Sequence, residues 1–169
     1  MGVLIVVEND PVAGTDTHNV SGLGPNPGAP PPTLPYSGVG DYAYAGKVTD
    51  ALSDFVRIGG QPVTLVTSQS SLDPGQDAPP AGKHSGPQGD NFVAGETSQA
   101  TQPTPDTLSI TDTPFGSGVP SAGAGSGLLT VNGVKVLLDG DTIDTCSGVG
   151  GLAGSTVTAS GQDFVTCSE

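Results

Sequence analysis

The chain has 169 residues, of which 27 are Gly and 16 are Pro, and aromatic residues make up only 4% of it. This length fits one domain, and so few large side chains cannot build a thick hydrophobic core. Lys and Arg number 4 against 17 Asp and Glu, a formal net charge of −13 that disfavours phosphate backbones and anionic lipid surfaces. We therefore expect a single domain over residues 1–169, with no nucleic-acid partner and no stable membrane anchoring.

The predicted elements are short β-branched runs separated by Gly, Asn and Asp, and helical periodicity is hard to find. The apolar run at residues 3–7 lacks the cationic flank of a secretion signal, so we expect a buried strand there. Residues 22–35 are predicted to be an extended loop, because proline donates no backbone hydrogen bond. Residues 94–107 have the composition of a polar linker or loop within the domain. The predicted fold class is all-β, with long Gly/Pro-rich loops.

An internal repeat appears when three segments are aligned on a central Gly: residues 55–66, 128–139 and 156–167. Each segment reads as a strand, a two-residue turn and a strand, and a small residue stands seven positions before each central Gly. The predicted turn pairs are Gly59-Gly60, Asn132-Gly133 and Ser160-Gly161. These pairs supply the positive φ angles of tight hairpin turns. The alignment therefore predicts three similar hairpins.

Three stretches carry further motifs: Gly46-Lys47-Val48-Thr49 within residues 46–64, Val131-Asn132-Gly133 within 131–146, and Gly154-Ser155 within 154–161. In order and spacing they resemble the PAAR-repeat family of spike-tip proteins, in the variant found in phage-like contractile injection systems. The name-giving Pro-Ala-Ala-Arg is represented by Pro62-Val63-Thr64-Leu65, without the Arg. The resemblance covers most of the chain and implies a small cone of β-hairpins with a pseudo-threefold repeat.

The resemblance also implies a structural function with no bond-making step. Such a tip caps a trimeric VgrG-like spike, one tip per trimer, and helps to pierce the target envelope. It would be made in the cytoplasm without a signal peptide and incorporated into an injection particle, with effector cargo as a further partner. The base of the cone would meet the spike, and Phe55, Leu128 and Phe164 are candidate anchors there. The alternative is a secreted or surface acidic β-domain, an adhesin or coat module, which a disulfide and a signal peptide would favour.

The only His and Cys residues of the chain are His18, His84, Cys146 and Cys167. Two imidazoles and two thiolates suit tetrahedral Zn²⁺, although these ligand types also permit iron. Members of the resembled family hold a metal near the apex of the cone, so the resemblance implies one structural zinc ion on these residues. A disulfide between the two cysteines, two free thiols, and surface histidines are the alternatives. We expect no enzymatic activity, because the sequence indicates no nucleophile–base pair.

Overall fold

The computed structural model describes residues 2–72, 85–112, 117–145, 149 and 154–168. Strands dominate this part of the chain, and its one helical element is a single 3-10 turn at Pro105–Thr107. The prediction of an all-β fold is confirmed. Among the described residues, no helix has the length and apolar character needed to cross a membrane.

The strands are, in chain order, β1 (Val3–Leu4), β2 (Pro11–Pro25), β3 (Thr33–Asp50), β4 (Arg57–Ile58), β5 (Gln61–Pro62), β6 (Gln69–Leu72), β7 (Ser85–Ala94), β8 (Ser109–Ile110), β9 (Ser117–Pro120), β10 (Thr130–Val131), β11 (Val134–Lys135), β12 (Thr142–Asp144), β13 (Gly154–Val157) and β14 (Thr166–Cys167). The run predicted as a strand at residues 3–7 includes β1 and two isolated bridges, and its residues 5–7 are buried, which confirms that prediction.

Six strands of the largest sheet close on themselves. Their order is β3-β6-β9-β12-β13-β2, and β2 then pairs back with β3, every pairing being antiparallel. β2 and β3 continue beyond this closed part as a long two-stranded arm, with β7 and β8 along its edges. Side chains alternate between the two faces of a strand, so the buried residues of both long strands are the even-numbered ones.

Glycines keep the closed sheet narrow. A Cβ added at Gly14 would collide with Ser155 on β13, and one at Gly118 would collide with Ser70 on β6. At Gly14 the collision includes the backbone of Ser155, so a larger residue there would displace the neighbouring strand, whereas at Gly118 it involves side-chain atoms.

The prediction of an extended loop at residues 22–35 is wrong at both ends. β2 runs to Pro25 and β3 begins at Thr33, so residues 26–32 alone connect them. Prolines are tolerated because the arm is a two-stranded ladder here, and a missing backbone donor on its outer edges breaks no strand pairing. The carbonyl of Pro35 still accepts hydrogen bonds from the backbone N–H groups of Gln99 and Ala100, both at 3.0 Å.

Residues 94–107, predicted to be a polar linker or loop, pack against this arm. Besides the two bonds to Pro35, the backbone N–H of Thr104 donates to the carbonyl of Leu23 at 2.7 Å. Ala100 is buried among arm residues. The segment is therefore a loop that covers the arm rather than a spacer between two units.

The hairpin turns predicted at Gly59-Gly60 and Asn132-Gly133 are confirmed. β4 pairs with β5 across the first turn, and β10 pairs with β11 across the second. The φ angles are 58° and 89° in the first turn and 51° and 79° in the second, all in the left-handed region that such turns require.

The hairpin predicted at Ser160-Gly161 is wrong. β14 pairs with β1, so that Cys167 lies opposite Val3, while β13 pairs with β12 and β2. The backbone N–H groups of Ser160 and Gly161 instead donate to the Asp10 carboxylate, at 2.8 and 2.7 Å. The pairing partner of β14 comes from the other end of the sequence, and a local strand-turn-strand pattern cannot reveal it.

Three chain segments, residues 3–10, 61–68 and 134–141, form a closed ring of hydrogen bonds next to these hairpins. The backbone N–H of Thr64 donates to Val6 at 3.1 Å, that of Val6 donates to Leu137 at 3.0 Å, and that of Leu137 donates to Thr64 at 3.1 Å. All three residues are fully buried. Each segment thus donates to one neighbour and accepts from the other, which ties remote parts of the sequence into one platform.

The hydrophobic residues form three clusters in succession. The base cluster joins the hairpins to the ring and includes Ile5, Val7, Ile58, Val63, Leu65, Val131, Val136, Leu138 and Cys167. The middle cluster fills the closed sheet and includes Val6, Val12, Tyr44, Val48, Ala124, Leu137, Ile143 and Val157. The arm cluster consists of Val20, Tyr36, Tyr42, Ala100, Leu108 and Ile110. Alternation along residues 5–7 places Ile5 and Val7 in the base cluster and Val6 in the middle cluster, so the ring separates these two layers.

Candidate functional site

The two hairpins and the β1–β14 strand pair join the ring in the same way. In the first ring segment, the backbone N–H of Ile5 donates a hydrogen bond to the carbonyl of Val165 at 3.2 Å. The corresponding bonds run from Val63 to Val56 at 3.0 Å and from Val136 to Leu129 at 3.3 Å. Residues 56, 129 and 165 therefore occupy equivalent positions around the ring.

A polar side chain holds the backbone just before each of these positions. The Ser53 hydroxyl accepts from the backbone N–H of Val56 at 3.1 Å. The Ser126 hydroxyl accepts from residues 128 and 129, at 3.1 and 2.9 Å. The Gln162 side-chain oxygen accepts from residues 164 and 165, at 3.1 and 2.7 Å. All three polar residues are buried, so the short segments that they hold are fixed relative to the ring.

A large apolar residue is exposed at the same place in each of these segments. Phe55 is 62% exposed, Leu128 is 70% exposed and Phe164 is 66% exposed. We call these three residues the base triad. Each one immediately precedes a residue whose carbonyl accepts a hydrogen bond from a ring segment. The same arrangement therefore occurs three times around the platform.

The structure places His18 in the arm, on the buried face of β2, with no exposed surface. Its Nδ1 lies 3.2 Å from a carboxylate oxygen of Asp112, and its ring meets the Tyr42 ring edge-on with centroids 5.9 Å apart. Burial raises the pKa of Tyr42 above its usual value. His18 is therefore a buried residue of the arm that is held on one side by a carboxylate.

Asp16 lies two residues from His18 on the same buried face. The hydroxyl of Thr145 lies 2.8 Å from a carboxylate oxygen of Asp16 and 2.9 Å from the Ser155 hydroxyl. Burial raises the pKa of Asp16, and this outweighs the Thr145 hydrogen bond and the nearby His18, which both lower it. A polar layer therefore separates the middle cluster from the arm cluster.

The structure places Cys167 at the opposite end, in the base cluster. In the β1–β14 pair it occupies the position that corresponds to Ile58 and Val131 in the two hairpins, and the three residues are 8%, 8% and 9% exposed. Its Sγ lies 3.2 Å from the Ser126 hydroxyl oxygen. A buried thiol of this kind behaves as a small hydrophobic residue.

His18 and Cys167 are therefore not brought together. His18 lies six residues beyond Val12 of the middle cluster along β2, which at about 3.3 Å per residue is roughly 20 Å from Val12, whereas Cys167 lies in the base cluster on the other side of the ring. His84 and Cys146 lie outside the described residues. Within the described ranges, no group of three or more His, Cys, Asp and Glu side chains could hold a metal ion.

Sequence reasoning missed Asp16 and Asp112 as neighbours of His18. The alternation of β2 was a usable signal for Asp16, because Val12, Asp16, His18 and Val20 are all even-numbered and a strand buries alternate residues. No comparable signal existed for Asp112, which is 94 residues from His18 in sequence.

Scans of the chain against protein-family models, curated proteins and solved structures find no match.

Proposed function

We propose that this chain is a structural tip protein that caps a trimeric VgrG-like spike of a contractile injection system and helps to pierce the target envelope. The observation that carries the proposal is the ring of hydrogen bonds at Val6, Thr64 and Leu137. A single chain with three equivalent segments around one ring offers three similar contacts to a threefold-symmetric partner. One copy per trimer is then sufficient.

The remainder of the molecule supports the same proposal. The closed sheet extends from the platform and continues into the arm of β2 and β3. The closed part of the sheet has no open edge. Rigidity comes from strand pairing and polar contacts, since large side chains are few. In this proposal the chain performs no catalytic step. It is made in the cytoplasm and incorporated into the particle, and effector cargo bound by contact is a further partner.

The location of the chain tests this function against the alternative of a surface β-domain. A small gold label on the chain should appear once per particle, at the end of the spike, in electron micrographs of purified particles. Many labels spread over the cell surface, with particles left unlabelled, would favour an adhesin or coat module instead.

We also propose a structural zinc ion in the arm. His18 is buried there, and Thr145, which precedes Cys146 in the sequence, contacts Asp16 two residues from His18. The backbone N–H of Val149 donates to the carbonyl of Thr17 at 2.9 Å, so both described flanks of residues 146–148 contact β2 beside His18. Cys167 does not belong to this proposed site.

Elemental analysis tests the zinc proposal. We expect one zinc ion per chain in the natural protein and in Cys167→Val, and loss of that ion in His18→Ala. A natural protein that purifies folded and free of zinc and iron would contradict it. Zinc that disappears in Cys167→Val but not in His18→Ala would instead place the ion at the base.

A further inference from the structure

We propose that the base triad, Phe55, Leu128 and Phe164, is the surface on which this chain docks the end of a homotrimeric protein whose apolar centre is ringed by Lys and Arg. The inference rests on the proposed function; it gives a structural basis to the three residues that the sequence offered as anchors, and it adds the chemistry of the partner surface. Four features of the described residues carry it: equivalence, exposure, charge and a neighbouring depression.

Equivalence is the first feature. Each residue of the base triad stands one position before a residue whose carbonyl accepts a hydrogen bond from a ring segment. Each also follows a buried polar residue whose side chain holds the local backbone by hydrogen bonds. The three side chains are therefore presented by the same local structure. Side chains exposed by chance would not recur at the same position in three segments from remote parts of the sequence.

Exposure is the second feature. The chain has 4 Phe and no Trp, and yet two of these Phe residues stand in the base triad with about two thirds of their surface in water. Large exposed apolar residues that recur on one face of a soluble protein mark an interaction surface. Aromatic side chains are also the usual central anchors of protein interfaces.

Charge selects the kind of partner. Asp54 and Asp163 directly precede Phe55 and Phe164, and both are exposed. A second copy of this chain would bring the same carboxylates and a formal net charge of −13, which oppose its approach, and the exposed Arg57 and Lys135 of the two hairpins offset only part of this charge. A partner with Lys and Arg around an apolar centre would pair with these carboxylates, and such complementarity speeds association and fixes the orientation.

A depression beside Phe55 indicates how the partner makes contact. It lies between Phe55 and the hairpin of β10 and β11, and its volume is about 150 Å³. Its apolar lining comes from Leu52, Phe55, Leu65, Val131 and Val134. This mainly apolar lining suits an aliphatic side chain from the partner, placed between two of the hairpins.

Site-specific photo-crosslinking in intact particles tests the inference. A benzophenone amino acid replaces Phe55, Leu128 or Phe164, one at a time, and the control replaces Val93, which is 62% exposed on the arm. We expect all three base positions to give an adduct of the same mass with the same homotrimeric protein, and the control position to give none with it. Adducts with a second copy of this chain, with different proteins, or no adducts from particles that contain the chain would overturn the inference.

Charge substitution at the same positions gives an independent measurement. Phe55→Asp, Leu128→Asp and Phe164→Asp should each weaken binding to the purified spike trimer of the particle by about tenfold or more, and Val93→Asp should leave it unchanged. Because these side chains are exposed, the variants should remain folded. If a complex of one tip and one trimer forms but these substitutions have no effect, the docking surface is wrong and the capping function stands. If no complex forms with the natural chain, the proposed function itself fails.

Discussion

At the residue scale, one structural role is filled by different side chains at equivalent positions. A side-chain oxygen accepts the backbone N–H three residues earlier in each ring segment: Asp10 from Val7 at 2.7 Å, Ser68 from Leu65 at 2.9 Å, and Asp141 from Leu138 at 2.7 Å. A hydroxyl and a carboxylate both fit this turn, since either can accept the bond. Identical residues are therefore not needed for equivalent geometry, and for this reason the repeat is hard to align from sequence.

Asp10 should be the most sensitive of these positions. Its buried carboxylate accepts from the backbone N–H of the buried Val7 and from those of the exposed residues Ser160 and Gly161, so Asp10→Ala would leave one buried donor without its acceptor and break two part-buried hydrogen bonds. We expect the free energy of unfolding to fall by about 2–4 kcal/mol. The exposed Asp54 is the matched control, and Asp54→Ala should change it by less than about 0.5 kcal/mol. Equal urea midpoints for both variants would contradict the role given to Asp10.

Cys167 should act as a core residue. It stands where the two hairpins have Ile58 and Val131. Cys167→Val therefore introduces the residue type that already fills the equivalent position at residue 131. We expect a change of less than about 1.5 kcal/mol in the free energy of unfolding, whereas Cys167→Asp should be strongly destabilising. Thermal unfolding measures both variants. A Val variant that unfolds as readily as the Asp variant would show that the thiol has a role beyond packing.

At the element scale, turns were predictable from the sequence and remote pairings were not. Gly59-Gly60 and Asn132-Gly133 were identified because two adjacent residues with positive φ are a local requirement. The pairing of β14 with β1 depends on segments more than 160 residues apart, and the Ser160-Gly161 pair imitates a turn while its N–H groups serve Asp10. Prolines in β2 and β3 misled the prediction of 22–35, since proline excludes a residue from a central strand but not from a free edge.

The first hairpin offers a stabilising substitution. Gly59 has a φ of 58°, is exposed, and has no atom within 4 Å of an added Cβ, and Asn132 fills the equivalent position with a φ of 51°. Gly59→Asn should raise the free energy of unfolding by about 0.5 kcal/mol, because Asn tolerates this conformation and reduces the freedom of the unfolded chain. Gly59→Val should lower it by about 1 kcal/mol or more. Urea unfolding distinguishes the two, and a destabilising Asn variant would contradict the equivalence of the two turns.

At the scale of the whole molecule, the three clusters and the polar layer explain how a chain with few large side chains holds one structure. The ring at Val6, Thr64 and Leu137 joins the two hairpins and the β1–β14 strand pair, and the closed sheet continues from it into the arm. Composition predicted this reliance on something other than a thick core, and the residue types correctly indicated an all-β fold. The candidate site was less predictable: the base triad was named from sequence, but its exposure and equivalence depend on the three-dimensional ring.

The mass of the complex between this chain and the spike protein of its particle tests the central claim most directly. Native mass spectrometry should give one copy of the chain bound to one spike trimer, because a single ring already presents three equivalent segments to the partner. An assembly of three copies on one trimer, or the absence of any complex with a folded spike trimer, would contradict the account.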